Sequence, residues 1–225
     1  ARRTKLDPQV EKRGANAMTK TLVIGAGGQI GRILVQQLAD QQQPVVAMLR
    51  DPQRVSFPAS VEVVVADLEG DFSHAFRGCS RIVFTAGSGA KTGPDKTLLV
   101  DLWGAKRAID LAREQGVEQF VMVSARTAGD PDKGPEAIKP YLVAKYFADE
   151  YLIGSGVPYT VLRPGRLTDE PATGRVTTQR PDDAVEQVIS RADTADVIVQ
   201  CLGDERALGE VVELYQSDRD DKGVF

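Results

Sequence analysis

From Lys20 onward, short apolar runs alternate with stretches of helical periodicity. The runs KTLVIG, PVVAMLR, VEVVVAD, RIVFTAG, EQFVMVS and PYTVLRP are apolar almost throughout, which predicts six strands of parallel type with helices covering both faces of their sheet. Between the first two, QIGRILVQQLAD sets Ile30, Ile33, Leu34 and Leu38 on one side of a helix and Gln36, Gln37 and Gln41 on the other. A longer helix is predicted from about Asp95 to Glu114, with Leu98, Leu102, Ala105, Ile109 and Ala112 as its inner face and Gly116 as its stop. Another runs from about Glu136 to Ile153 and ends at GSGVP. This alternation predicts a doubly wound α/β fold, its mostly parallel sheet sandwiched by helices and its ligands beyond the carboxyl ends of the strands.

Beyond Pro164 the rhythm loosens. GRLTDEPATGRVTTQRPDD is rich in turn formers, and only DTADVIVQCLG and ALGEVVELYQ restore a helix and a strand. A small C-terminal cap on the substrate side is expected, with substrate-facing segments near 127–140 and 165–190. The length of 225 residues, 42% of them hydrophobic, suits one domain over 18–225. Residues 1–17 carry five Lys/Arg against two Asp/Glu and no apolar pattern, so an added or poorly packed extension is expected there, with a basic arm for an acidic partner as the alternative.

Composition removes several functions. Without residues 1–17 the formal charge falls from −4 to −7, and an acidic body with no basic stripe argues against nucleic acid as a partner. Cys79 and Cys201 have neither disulfide-framework nor zinc spacing, which fits a reducing, cytoplasmic setting. His74 is the only histidine, so His-based triads and His-rich metal sites are excluded; a place on a helix surface is expected for it, and one in the core or an interface for Trp103. No apolar run reaches the roughly 20 residues of a membrane span. Oligomeric state is not legible.

The strand TLVIG runs directly into Gly25-Ala26-Gly27-Gly28-Gln29-Ile30-Gly31, which opens the first helix. A pyrophosphate needs backbone N–H groups and a helix N-terminus at close range, and glycines let it approach, so this turn predicts dinucleotide binding. The second strand ends in Leu49-Arg50-Asp51-Pro52-Gln53-Arg54. Arg50 and Arg54, with Arg32 beside the turn, would surround a 2′-phosphate, favouring NADP over NAD, whereas Asp51 could instead hold a ribose hydroxyl. Asp67 and Leu68 end the third strand at the adenine edge, and Thr85, Ala86 and Gly87 end the fourth, where close backbone approach to the cofactor is useful.

Ser124 ends the fifth strand, and 17 residues later Tyr141 and Lys145 share one helical face. The ammonium would favour the phenolate and hold the nicotinamide ribose, while Ser124 would hydrogen-bond the same substrate oxygen as Tyr141. Ser88–Gly93, Thr127–Lys139 and the stretch after Gly165 would line the acceptor pocket for a small-molecule substrate.

With the glycine turn, the Ser124/Tyr141/Lys145 set and Leu162-Arg163-Pro164-Gly165, the chain resembles the short-chain dehydrogenase/reductase superfamily from Thr19 to Tyr215. More narrowly it is similar to the atypical single-domain, NAD(P)-binding members of epimerase/dehydratase-like type, close to flavin/biliverdin reductases and NmrA-like proteins. The resemblance implies a Rossmann sheet, Pro164 and Gly165 approaching the nicotinamide, and hydride transfer to or from a small carbonyl, alcohol or quinone-like substrate with Tyr141 as proton donor or acceptor. Asp101 stands where extended members usually have Asn. The alternatives are an NmrA-like redox sensor without turnover, a flavin reductase without proton relay, and a nucleotide-sugar epimerase/dehydratase-like enzyme.

Overall fold

A computed structural model describes residues 19–89, 92–218 and 224–225; the expectation for residues 1–17, and Ala90 and Lys91 of the 88–93 loop, lie outside the described residues. The six expected strands form as β1 (Thr21–Ile24), β2 (Val45–Leu49), β3 (Glu62–Val65), β4 (Arg81–Phe84), β5 (Gln119–Val123) and β6 (Tyr159–Pro164). A short parallel pair, β7 (Arg166–Thr168) with β9 (Val188–Ser190), stands apart. The main sheet runs 3-2-1-4-5-6-10-8: β10 (Glu210–Gln216) continues the parallel series, and β8 (Val176–Thr177) adds antiparallel at its edge. Part of the expected cap is therefore sheet.

Alternating strand residues feed two cores. Leu22 and Ile24 pack on one face with Ile109 and Leu152, while Val23 packs on the other with Leu34, Leu38 and Ile198. Helices α3 (Ala105–Gln115) and α4 (Lys139–Ile153) cover the first face; α1 (Gln29–Asp40) and α5 (Arg191–Cys201) cover the second. Edge strand β3 departs from the expectation of full burial, with Val63 43% and Val65 54% exposed. Gln37 does not simply face outward: its side-chain amide donates to Asp196 at 2.6 Å, tying α1 to α5.

The helix expected from Asp95 is three pieces: α2 (Pro94–Lys96), a π-helical turn over Thr97–Gly104, then α3, which Gly116 ends at φ 61°. Widening to i→i+5 hydrogen bonds changes the rotation per residue and so resets which side chains face inward. Leu98 and Leu99 are consequently exposed, and Thr97, Asp101 and Gly104 are buried in their place; only Ala105, Ile109 and Ala112 of the expected inner face are fully buried. Trp103 is 51% exposed rather than in the core, with Lys106 Nζ 5.4 Å from its ring. Helix α4 begins three residues late because Glu136–Ile138 forms a 3-10 turn. His74 sits on another 3-10 turn, its Nε2 3.2 Å from the Val65 carbonyl. Among the described residues, no helix is long and apolar enough to cross a membrane and no acidic, Cys or His cluster has the form of a metal site.

Candidate active site

The glycine turn is dictated by contacts at its two ends. Gly25 has φ +89°, and a Cβ there would lie 2.5 Å from the Ala86 nitrogen. At Gly31 a Cβ would lie 2.3 Å from the Gly25 carbonyl oxygen, so only glycine lets α1 start this close to β1. Gly27 and Gly28 answer a different demand, for they line an open cleft. Gly28 caps α1 without a side-chain bond, and the N–H groups of Gln29, Ile30 and Gly31 have no intrahelical acceptor, which leaves a positive helix end at the turn. Ile30 and Gly31 are buried in packing, and the Gln29 side chain donates to Asp169, itself paired with Arg191 at 2.8 Å. The glycine turn is thus tied to the segment after β7.

The cleft encloses about 410 Å³ between this turn and the ends of β2, β3 and β4. Gly25, Gly27, Gly28, Arg50, Arg54, Asp67, Leu68, Thr85, Ala86 and Gly87 all line it, with Arg32. Arg50 is exposed and has no hydrogen bond or ion pair among the described residues. Asp51 is occupied twice, accepting from Gln53 N–H at 3.0 Å and pairing with Arg54 at 3.1 Å. The Arg32 Nε donates to the Gly27 carbonyl at 2.8 Å, which holds its guanidinium beside the glycine turn. A glycine floor and a free helix N-terminus fit the pyrophosphate of a nicotinamide dinucleotide, and the Arg50 guanidinium lies unpaired at one end of the cleft.

Ser124, Tyr141 and Lys145 form a second group that does not line this cleft. Tyr141 and Lys145 sit one turn apart on α4, the ammonium 6.0 Å from the phenol ring centre. Lys145 is buried, and its nearest carboxylate is Asp101 at 4.0 Å. Ser124 is engaged: its hydroxyl donates to Asp149 at 2.8 Å, and Arg163 Nε donates to the same oxygen at 3.0 Å. The hydroxyl expected to meet the substrate oxygen is therefore already hydrogen-bonded to a buried carboxylate in this structure. Burial raises the Asp149 carboxyl above the ordinary range despite Arg163 and Ser124. Burial, then Asp101 and Asp149, push the Tyr141 phenol well above its ordinary value. These influences oppose the one expected from Lys145, whose ammonium favours the phenolate.

Asp101 joins the two groups. One of its oxygens accepts from Ser88 N–H at 3.0 Å, and Ser88 lines the cleft. Pro164 and Gly165 do not line it; a Cβ on Gly165 would lie 2.7 Å from the Gln187 carbonyl, so strand packing explains that glycine. Around the acceptor-side loops, Thr127 adopts φ 62°, rare for a β-branched residue, and Arg126 donates to Gln187 at 2.7 Å. Asp149 and Arg163 escaped the sequence reading as site residues. The spacing Tyr141, Lys145, Asp149, two successive i,i+4 steps, was the signal that could have found the first.

Residues 25–205 match a family described as NAD(P)H-binding. A protein of Bacillus subtilis (strain 168) named an uncharacterized sugar epimerase, YhfK, is 43% identical over 88% of this chain and 95% of its own length. The solved structure of a putative NAD-dependent epimerase/dehydratase from Bacillus halodurans is 41% identical with a TM-score of 0.83, covering 89% of this chain and 95% of that one. ChuY of Escherichia coli O157:H7, titled an anaerobillin reductase, is 27% identical with a TM-score of 0.74, covering 91% of this chain and all of that one. The glycine turn, the sheet order and these matches lead to one conclusion: the chain belongs to the NAD(P)H-binding family of Rossmann-like, epimerase/dehydratase-like proteins.

Proposed function

We propose that this protein is an NADPH-dependent reductase of a small carbonyl or quinone-like acceptor. The observation that carries the reading is a glycine- and arginine-lined cleft linked through Ser88 and Asp101 to a buried ammonium one helical turn from the Tyr141 phenol. Gly27, Gly28 and the N-terminus of α1 would hold the pyrophosphate, Arg50 the 2′-phosphate, and Lys145 the nicotinamide ribose. When bound, the reduced dinucleotide supplies a hydride. Tyr141 supplies the matching proton to the acceptor oxygen, a role suited to a phenol that burial keeps protonated. The description of ChuY as a reductase supports the reductive direction.

Calorimetric titration with NAD, NADH, NADP and NADPH tests the first half. The expected result is a preference for the phosphorylated pair that falls by at least tenfold in Arg50→Ala, about 1.4 kcal/mol; equal affinity for both pairs would remove the phosphate assignment. NADPH oxidation across a carbonyl and quinone panel tests the second. Tyr141→Phe is expected to lose rate while keeping cofactor affinity. Unchanged turnover would leave a flavin-reductase reaction without a proton relay, and tight binding with no turnover would leave a sensor.

A further inference from the structure

The π-helical turn leaves Leu98 and Leu99 in solvent, 55% and 40% exposed, and π-helical turns, rare in general, occur frequently at functional sites. What this one places inside is Asp101, which is fully buried. Each of its oxygens faces a different part of the site. One accepts from the Ser88 N–H; the other has no hydrogen-bond partner and lies 4.0 Å from Lys145 Nζ. That second oxygen also lies 3.2 Å from where a Cβ on Gly87 would stand, so the loop closes directly over the carboxylate.

We propose that Asp101 is a positioning residue: one oxygen fixes the Gly87–Ser88 loop of the cleft, the other countercharges Lys145, and Tyr141 is thereby kept as a proton donor for reduction. The proposal rests on the role given to Tyr141 above. An unopposed ammonium at this distance from a phenol stabilises the phenolate and prepares it to take a proton. Here the ammonium is opposed. On α4, Lys145 is followed one turn later by Asp149; the π-helical turn contributes Asp101; β6 contributes Arg163, spent on Asp149. Of the remaining charges on the elements packed around α4, Lys106 and Arg113 pair with Asp110 on α3, Lys139 pairs with Asp132 and Glu136, and Lys133 pairs with Asp130; Arg107 donates to the Leu68 carbonyl over the Phe72 ring, and Glu114 and Glu150 are exposed. Two buried carboxylates offset the two cations, so no net positive charge favours a phenolate. In reduction, the Tyr141 O–H bond breaks as the O–H bond of the product forms, and water returns the proton to the phenol.

The electrostatic half of the test needs no cofactor. Difluorotyrosine, whose phenol is more acidic, is incorporated throughout, and fluorine NMR follows each tyrosine with pH, Tyr141 being assigned by its loss in Tyr141→Phe. In the native chain its midpoint is expected above that of the free amino acid. In Asp101→Asn, which keeps an acceptor for Ser88 N–H and removes the charge, the midpoint is expected to fall by about one unit, tenfold in ionisation constant. An unchanged midpoint in the variant overturns the proposal, as does a native midpoint at or below the free amino acid, a comparison that stands even where the variant does not fold. Asp101→Ala, lacking the Ser88 bond as well, is expected to bind NADPH about fivefold more weakly than Asp101→Asn; equal affinity overturns the loop half. A native chain that does not bind NADPH at all counts against the proposed function, while the titration still decides the electrostatic role of Asp101.

Discussion

Alanine at Gly31 and at Gly27 separates two demands within one turn. At Gly31 the new methyl would meet the Gly25 carbonyl oxygen at 2.3 Å and the Ala26 Cα at 2.8 Å. Both are backbone atoms, so relief requires α1 to move off β1. Overpacking of this kind costs about 1–3 kcal/mol, two backbone clashes put Gly31→Ala at the upper end, about 2–3 kcal/mol, and the helix-propensity gain of about 1 kcal/mol returns part of it. The net expectation is a loss of roughly 1–2 kcal/mol, a fall in Tm of about 2–8 °C for a domain of this size. At Gly27 the methyl would meet only the ends of the Leu49 and Val55 side chains, at 3.3 and 3.9 Å, among residues that line the cleft. Gly27→Ala is therefore expected to keep its Tm within about 2 °C and to lose about tenfold in NADPH affinity, where the ligand must approach the backbone. Calorimetry of unfolding and of binding on both variants reads the four quantities. A Gly31→Ala protein as stable as the native one, or a Gly27→Ala protein that binds as tightly, would refute the division of the turn into a packing end and a ligand end.

Further outcomes follow from titrating and buried groups. Burial opposes ionisation of Glu213, but hydrogen bonds from Arg180 and Tyr215 outweigh it and hold its carboxyl below the ordinary 4.5. Its contribution is therefore present above about pH 4.5 and lost as pH falls through the lower folded value. Glu213→Gln should be less stable than the native chain by about 1 kcal/mol near neutrality, with the gap closing in acid; a gap independent of pH in denaturant melts would contradict this. Burial pushes the Cys79 thiol up to about 11 and the Cys201 thiol up to about 12. Alkylation near neutral pH should accordingly proceed only through opening of the fold, and mass-spectrometric labelling as fast in the native as in the unfolded chain would show otherwise.

Periodicity made the sheet legible, because strands buried on both faces read as continuous apolar runs, and the glycine spacing located the cleft before any geometry was known. What it missed had physical causes. A single α-helical period could not foresee the π-helical turn, so Leu98 was assigned inward and Asp101 was noted only as an unusual residue. Edge strand β3 carries valines like any interior strand, and Val65 gives no local sign that it faces water. Ser124 stands at a strand end as expected, but sequence neighbours do not reveal that Asp149, 25 residues on, accepts its hydrogen bond. The charge balance around Tyr141 depends on Asp101 from another element, and that proximity exists only in three dimensions.

The bond between Gln29 and Asp169 bridges 140 positions of sequence, and Arg191 anchors its far end. Its consequence concerns how the two halves of the site can be altered independently. If the segment after β7 faces the acceptor as proposed, a loop exchanged there also removes a strut from the first turn of α1, so changes in acceptor selectivity and in cofactor affinity should be non-additive. Retaining Asp169 and Arg191 through such an exchange is the condition for changing one specificity without disturbing the other.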